Sequence, residues 1–276
     1  MRSAGVHEQE KIMQTITEIR PDIFRLTIPF EDIYTTVFFI RTAAGYLLFD
    51  TATYDSDIDR YILPAMEQLG ITPDKLKYVC LSHSHRDHAG GLSRLMRVCP
   101  DTCILSHSDS LRSSFSQYGT EDIQDNQTIL QDLRLILIPG HASDCTAILD
   151  TRSNTLLTGD CLQVYGIYGS GNWGTNITMQ SAHRQALQKL RSFPVNTIIA
   201  SHNYHPYGYI AEGKAAVEHY YAGCEEALDA VQKAVTDHPD MDDQAVAACY
   251  MKTTGLPRTG AHVFAAARRE CGQNKE

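Results

Sequence analysis

Tyr78-Val79-Cys80-Leu81-Ser82-His83-Ser84-His85-Arg86-Asp87-His88-Ala89-Gly90-Gly91 is the stretch on which the reading of this chain turns. An apolar, β-branched run ends at Leu81, and four potential metal ligands follow within six residues. His83 and His85 stand two apart on extended backbone, so their side chains project to the same side and can share one ion. Asp87 and His88 come where the chain turns into a helix, and point to a neighbouring position. Gly90 and Gly91 let the backbone pass close to the cluster. Gathering so many ionisable groups at the end of a buried strand is costly without a cation to pair them.

Three further candidates occur in the same setting. The apolar run Leu133 to Ile138 ends in Pro139-Gly140-His141, Thr155 to Leu157 ends in Thr158-Gly159-Asp160, and Thr197 to Ala200 ends in Ser201-His202. All would emerge on one edge if their strands share a direction, which is where α/β folds place their sites. Alone, His141 or His202 reads as a capping or surface residue. Combined with the cluster at 83 to 88, the set of imidazoles and carboxylates suits a borderline-hard ion such as zinc.

Around these points the chain alternates. Ile23 to Ile28, Thr36 to Ile40 and Tyr46 to Phe49 read as further strands, and Asp57 to Leu69, Leu92 to Val98 and Ser181 to Phe193 carry helical spacing. The pattern predicts a layered α/β domain, sheets inside and helices outside. Near Ala211 the character changes: Ala211 to Val235, Asp243 to Lys252 and Ala261 to Glu270 read as helices, a small helical C-terminal extension over 211–276 following a catalytic domain over 1–210. Gly169-Ser170-Gly171-Asn172-Trp173-Gly174 is the most loop-like stretch.

With 276 residues and 43% hydrophobic content, the chain can bury a large core. Its net charge of −9, with no run of Lys and Arg, argues against nucleic acid or an anionic membrane as partner. MRSAGVHEQEKIMQ lacks the apolar stretch of a secretory signal and no segment approaches a membrane span, so a cytoplasmic location is expected. Eight cysteines without a C-x-x-C pair read as reduced thiols, with Cys80, Cys103, Cys145 and Cys161 as small core residues. A small molecule is the expected partner, and a homo-oligomer is compatible with the sequence.

The pattern H-x-H-x-D-H, a distant His141, Asp160 in T-G-D and a final His202 resembles the metallo-β-lactamase superfamily, as does the early motif Leu48-Phe49-Asp50-Thr51. The resemblance implies an αββα four-layer sandwich with its site at one edge of two sheets. It implies that His83, His85 and His141 bind one metal, that Asp87, His88 and His202 bind the other, and that Asp160 bridges them. Two divalent ions follow, zinc being the expected identity and iron or manganese the alternatives. Asp50 is either a carboxylate that holds the histidine loop through hydrogen bonds or a turn-forming cap.

The activity so implied is hydrolysis of a small ester, thioester or lactone by a hydroxide bridging the two ions, with Asp87 orienting it and returning a proton. Tyr165 and Tyr168, just after Asp160, and Tyr204 and His205, just after His202, are candidates to reach the reacting carbonyl, and Trp173 to line the pocket. Asp160 stands where two subclasses of zinc β-lactamases carry Cys, which argues against penicillin hydrolysis. Thr158-Gly159-Asp160-Cys161-Leu162 resembles glyoxalase II and N-acyl homoserine lactonases, although no glutathione-binding motif is found in the tail. Flavodiiron-type oxidoreductases carry Glu at the place of His85. An iron-dependent sulfur dioxygenase and a non-catalytic metal-binding sensor are the alternative readings. His107, His183, His219, His238 and His262 match no motif and are expected at surface or helix positions.

Overall fold

The structure is a computed structural model, and it describes residues 16–273. The first half of the chain runs β1 (Thr17–Arg20), β2 (Ile23–Phe30), β3 (Ile33–Thr42), β4 (Gly45–Phe49), α1 (Asp55–Asp57), a π-helical stretch (Ile58–Ile62) and α2 (Leu63–Gln68). It continues through β5 (Leu76–Cys80), α3 (Arg86–Ala89), α4 (Leu92–Val98), β6 (Cys103–Ser106), α5 (Asp109–Ser114) and β7 (Thr120–Asp122). These seven strands form one sheet in chain order. β1 to β4 pair antiparallel through short turns, whereas β4 to β7 pair parallel because a helical crossover separates each from the next.

The second half supplies β8 (Gln127–Ile129), β9 (Leu133–Leu137), β10 (Thr146–Asp150), β11 (Thr155–Leu157), α6 (Gln180–Leu190), β12 (Thr197–Tyr204) and β13 (Gly208–Glu212). Their sheet has the order β13-β12-β11-β10-β9-β8, and only the β11–β12 pair, joined through α6, is parallel. The chain closes with α7 (Lys214–Asp237), α8 (Asp243–Thr254) and α9 (Ala261–Gln273).

Side-chain alternation explains the layering. Leu47 and Phe49 of β4 point between the sheets toward Ile148 of β10 and Leu157 of β11, while Leu48 points the other way, against Ile58, Ile62 and Leu92 of the first helical layer. On the second sheet Ala147, Leu149 and Leu156 face outward against Leu187 and Leu190 of α6 and Val217 and Tyr220 of α7. Strands covered on both faces read as continuous apolar runs, which is how these were recognised. The result is the expected αββα sandwich with helices appended.

The differences are local. β1, β6, β7, β8, β10 and β13 are not expected from the sequence; each is three to five residues long, too short for a clear alternation. β12 runs on to Tyr204, so His202 lies within a strand. The helix expected from Ala211 starts at Lys214, because Ala211 pairs with Ile198 in β13 and Gly213, at φ 88°, ends the strand in a conformation that favours glycine. α7 belongs to two cores. Its first half packs on the second sheet, while Val231 and Val235 join Val246 and Tyr250 of α8 and Val263 and Phe264 of α9. Among the described residues no helix is long and apolar enough to cross a membrane. The opening segment, on which the expectation about export rested, lies outside the described residues.

Candidate metal centre

β9, β11 and β12 run in one direction, so His141, Asp160 and His202 leave the second sheet at the same edge. β4 and β5 deliver Asp50 and the histidine loop from the facing sheet. That loop is pinned by its neighbour: Thr51 N–H donates to the His88 carbonyl at 2.6 Å and Gly90 N–H to the Ala52 carbonyl at 2.9 Å. A Cβ on Gly90 would stand 2.0 Å from the Thr53 carbonyl oxygen, and only glycine permits this approach.

The seven candidate ligands converge into two groups. His83, His85 and His141 form one; Asp87, His88, Asp160 and His202 form the other; within each, one ligand atom per residue lies within 4.8 Å of all the rest. The groups are contiguous, since the His83 and His88 rings are 4.4 Å apart. In the first group the His85 and His141 rings meet edge-on, Nδ1 to Nε2 at 2.8 Å. In the second, His88 Nε2 lies 3.2 Å from Asp87 Oδ2 and 3.3 Å from Asp160 Oδ1, and His202 Nε2 lies 3.2 Å from Asp160 Oδ1. His83 Nε2, His88 Nε2 and Asp160 Oδ1 are buried without a hydrogen-bond partner. Such orphaned donor atoms, three imidazoles on one side and two imidazoles with two carboxylates on the other, fit a pair of divalent cations.

The electrostatics point the same way. Burial opposes the charged form of His88, yet Asp87, Asp160 and Asp50 outweigh it and hold the ring protonated well above the ordinary range. His202 behaves alike: Asp160 and Asp87 overcome burial and lift it to about 9. Burial pushes His83 and His141 down instead. Asp160 resists its own burial through His202 and His88 and is held far below the carboxylate range. The second group is thus a set of carboxylates compensated by protons, which is what a cation would replace.

Supporting contacts fix the rings. Fully buried Asp50 accepts from Ser82 N–H at 2.7 Å, from Ser82 Oγ at 2.9 Å and from His88 Nδ1 at 2.8 Å. His202 Nδ1 meets the Tyr34 carbonyl at 2.6 Å, and His141 Nδ1 meets the Asn176 carbonyl at 2.8 Å. Donation from each Nδ1 leaves Nε2 free for a metal. Gln163 holds the segment that receives this bond: its Oε1 accepts from Asn176 N–H at 2.7 Å. Neither Gln163 nor Asn176 was legible in the sequence, because one lies in an irregular turn and the other acts through its backbone.

The groups open into a cavity of about 110 Å³ lined by His85, Asp87, His141, Asp160 and His202 together with Ile33, Ile167, Trp173 and Tyr204. Tyr204 is buried with its hydroxyl unpartnered at this cavity, and burial followed by the Asp160 charge keeps that hydroxyl protonated. Tyr165 is not brought to the cavity: flanked by Val164 at φ 49° and Gly166 at φ 102°, it packs against the outer core of the second sheet with its hydroxyl 3.5 Å from Glu226. Tyr168 is exposed and reaches the Pro206 carbonyl, and His205 packs against its ring. His183, expected at an ordinary helix position, is buried beneath Gly140, where a Cβ would stand 2.5 Å from its ring nitrogen.

Comparison with known proteins agrees with this geometry. The family profile described as the metallo-beta-lactamase superfamily matches residues 31–202. Among curated proteins, the atrochrysone carboxyl ACP thioesterase of Aspergillus fumigatus is 27% identical over 159 residues, 55% of this chain and 36% of that protein. The thioesterase pkgB of Emericella nidulans is 27% identical over 135 residues, 48% of this chain and 37% of that one. The chain therefore spans well under half the length of these relatives. In fold it is similar to a metallo-beta-lactamase family protein from Thermus thermophilus, with TM-score 0.63 at 17% identity over 92% of this chain and 95% of the other. It is also similar to the flavodiiron protein from Giardia intestinalis, with TM-score 0.62 at 16% identity over 77% of this chain and 59% of the other. With most of its length matched by the profile and each ligand motif in place at one sheet edge, the chain belongs to the metallo-β-lactamase superfamily.

Proposed function

We propose that this chain is a metal-dependent hydrolase that uses two divalent ions, zinc in the first instance, to cleave a small carboxylic thioester, ester or lactone. The observation that carries the reading is the pair of contiguous donor groups opening into one cavity. His83, His85 and His141 would hold one ion, Asp87, His88 and His202 the other, and Asp160 would bridge them. Held there, the ions would supply Lewis acidity, making bound water acidic near neutral pH and a carbonyl more electrophilic.

The chain's own groups do the rest. Asp87, held ionised because His88 and His202 overcome its burial, is placed to accept a hydrogen bond from the attacking nucleophile and to carry a proton toward the leaving group. Tyr204 stays a neutral donor and offers its O–H to the oxygen that gains charge. Ile33, Ile167 and Trp173 wall the cavity and exclude water, and Trp173 is itself anchored by donation to Asp32 at 2.7 Å. A cavity of about 110 Å³ limits the acyl portion to a few heavy atoms unless the substrate runs on into the adjoining grooves. Thioesters are placed first because curated relatives carry that name.

Residues 1–210 would carry the catalysis and 211–276 would form the appended helical unit, sharing α7 with the sandwich. A mononuclear sulfur dioxygenase would leave the Asp87, His88, Asp160 and His202 group without work, so the complete second group favours hydrolysis. The test is a panel of short-chain acyl thioesters, aryl esters and lactones given to the zinc-loaded protein. Metal-dependent turnover abolished by chelation is the expected result; none across the panel with both ions bound overturns the reading.

A further inference from the structure

β2 reads Ile23-Phe24-Arg25-Leu26-Thr27-Ile28, and its alternation contains one anomaly. Phe24, Leu26 and Ile28 face the first helical layer, while Ile23 enters the core between the sheets. By the two-residue period Arg25 shares the face of Ile23, a charged side chain where the pattern calls for an apolar one. Its guanidinium is stacked 4.0 Å from the centre of the Tyr209 ring and 5.2 Å from that of Tyr34. Its Nε is buried without a hydrogen-bond partner, and the contact its guanidinium does make is with the neutral Tyr34 hydroxyl rather than a carboxylate. The two rings offset part of the burial cost through cation–π attraction, but a desolvated N–H without an acceptor remains unfavourable.

Arg25 forms the floor of a groove of about 460 Å³ whose walls include Thr27, Tyr34, Asn203 and Tyr209, with no acidic residue among its lining. In a chain of net charge −9 that is an exception. The groove adjoins the metal cavity, because Ile33 lines both. Tyr34 links them a second way, its ring against the guanidinium and its carbonyl on His202 Nδ1 at 2.6 Å.

We propose that this groove is a binding site for an oxyanion, a carboxylate or phosphate group, that pairs with the Arg25 guanidinium between the Tyr34 and Tyr209 rings. A planar guanidinium takes such a group through charge-assisted hydrogen bonds, and Thr27, Asn203 and Tyr209 line the same groove with further hydroxyl and amide groups. The anion site stands on its own geometry. That its occupant is the far end of the substrate, whose carbonyl reaches the metal centre past Ile33, rests on the hydrolase reading. Substrates then carry an acid group remote from the bond that is cleaved: a dicarboxylic monothioester if the anion is a carboxylate, a phosphate-bearing carrier arm if it is a phosphate.

The test is calorimetric titration of succinate, and separately of inorganic phosphate, into the zinc-loaded protein, using wild type, Arg25→Met and Arg25→Lys, each checked for unchanged melting temperature and metal content. Anions that bind the ions directly give a component common to all three proteins. The expected result is an additional component in wild type, weakened at least tenfold in Arg25→Met and less in Arg25→Lys; the anion that shows it identifies the source. Identical titrations for all three proteins with both anions overturn the proposal. Loss of the extra component in Arg25→Met, in a protein that hydrolyses nothing on the panel, would retain the anion site and discard only the hydrolase reading.

Discussion

Replacing Asp50 by Asn separates the support of the metal centre from the ligands themselves. Asp50 is not among the residues that line the metal cavity, yet it accepts three hydrogen bonds, from Ser82 N–H, Ser82 Oγ and His88 Nδ1. It sits at φ 69°, a conformation that asparagine tolerates and alanine does not, so Asn keeps the backbone while altering the chemistry. One amide oxygen can still take Ser82 N–H. The amide nitrogen then opposes the Ser82 hydroxyl and His88 Nδ1, and at least one buried donor loses its acceptor, at a cost of about 1–3 kcal/mol. To recover a bond, the neutral His88 ring must move its proton to Nε2, the atom that faces Asp87 and Asp160. Loss of such support lowers metal affinity about 10- to 100-fold. Competition with a chromophoric chelator reads both affinities in one titration. The expected result is a stronger weakening of the ion held by His88, which loses its acceptor directly, than of the ion held by His83, His85 and His141, which Asp50 reaches only through Ser82 Oγ, 3.0 Å from His83 Nδ1. Equal weakening of both ions, or of neither, would refute the reasoning.

Tyr204→Phe should lower kcat on a thioester by about 10²-fold with KM little altered, as loss of one oxyanion donor does, while Tyr165→Phe should change kcat less than about threefold on the same principle, because its hydroxyl faces Glu226 rather than the cavity. In the metal-free protein, His202 is raised from 6.5 to about 9, so the stability its charge contributes is complete below 6.5 and lost as pH rises through 9; melting temperature should fall across that window and the fall should vanish on zinc loading. Zinc binding at pH 7 should release protons from His88 and His202, seen as a dependence of the binding heat on buffer ionisation enthalpy. Gly90→Ala must push a Cβ to 2.0 Å from the Thr53 carbonyl or move the histidine loop, and should cost about 2 kcal/mol or more in chemical denaturation together with loss of bound metal.

What the sequence disclosed and what it withheld follow a physical rule. The ligands were legible because each follows directly on an apolar strand, so local pattern and spatial role coincide at His83, His141 and Asp160. Sheet directions turned those separate endings into one edge, a condition the sequence left open, since β9 and β11 run the same way only because β10 pairs antiparallel with both. Tyr204 and Tyr165 could not be separated from sequence, since both lie a few residues past a ligand; a bulge in β12 and two positive-φ residues around Tyr165 decide which one faces the cavity. Gln163 and Asn176 were invisible because their contacts run through backbone groups distant in the chain. His183 carried a helical spacing that says nothing about burial against Gly140. Arg25 carries no signal of its own within the run Ile23 to Ile28, because its ring partner Tyr209 lies far along the chain, on β13.

The central claim is that seven side chains build two adjoining cation sites. Elemental analysis of the purified, zinc-reconstituted protein, paired with His202→Ala, tests it most directly. The account predicts two ions per chain in the wild type and about one in the variant, with the fold intact by circular dichroism. A single ion in the wild type that survives the loss of His202 would contradict it.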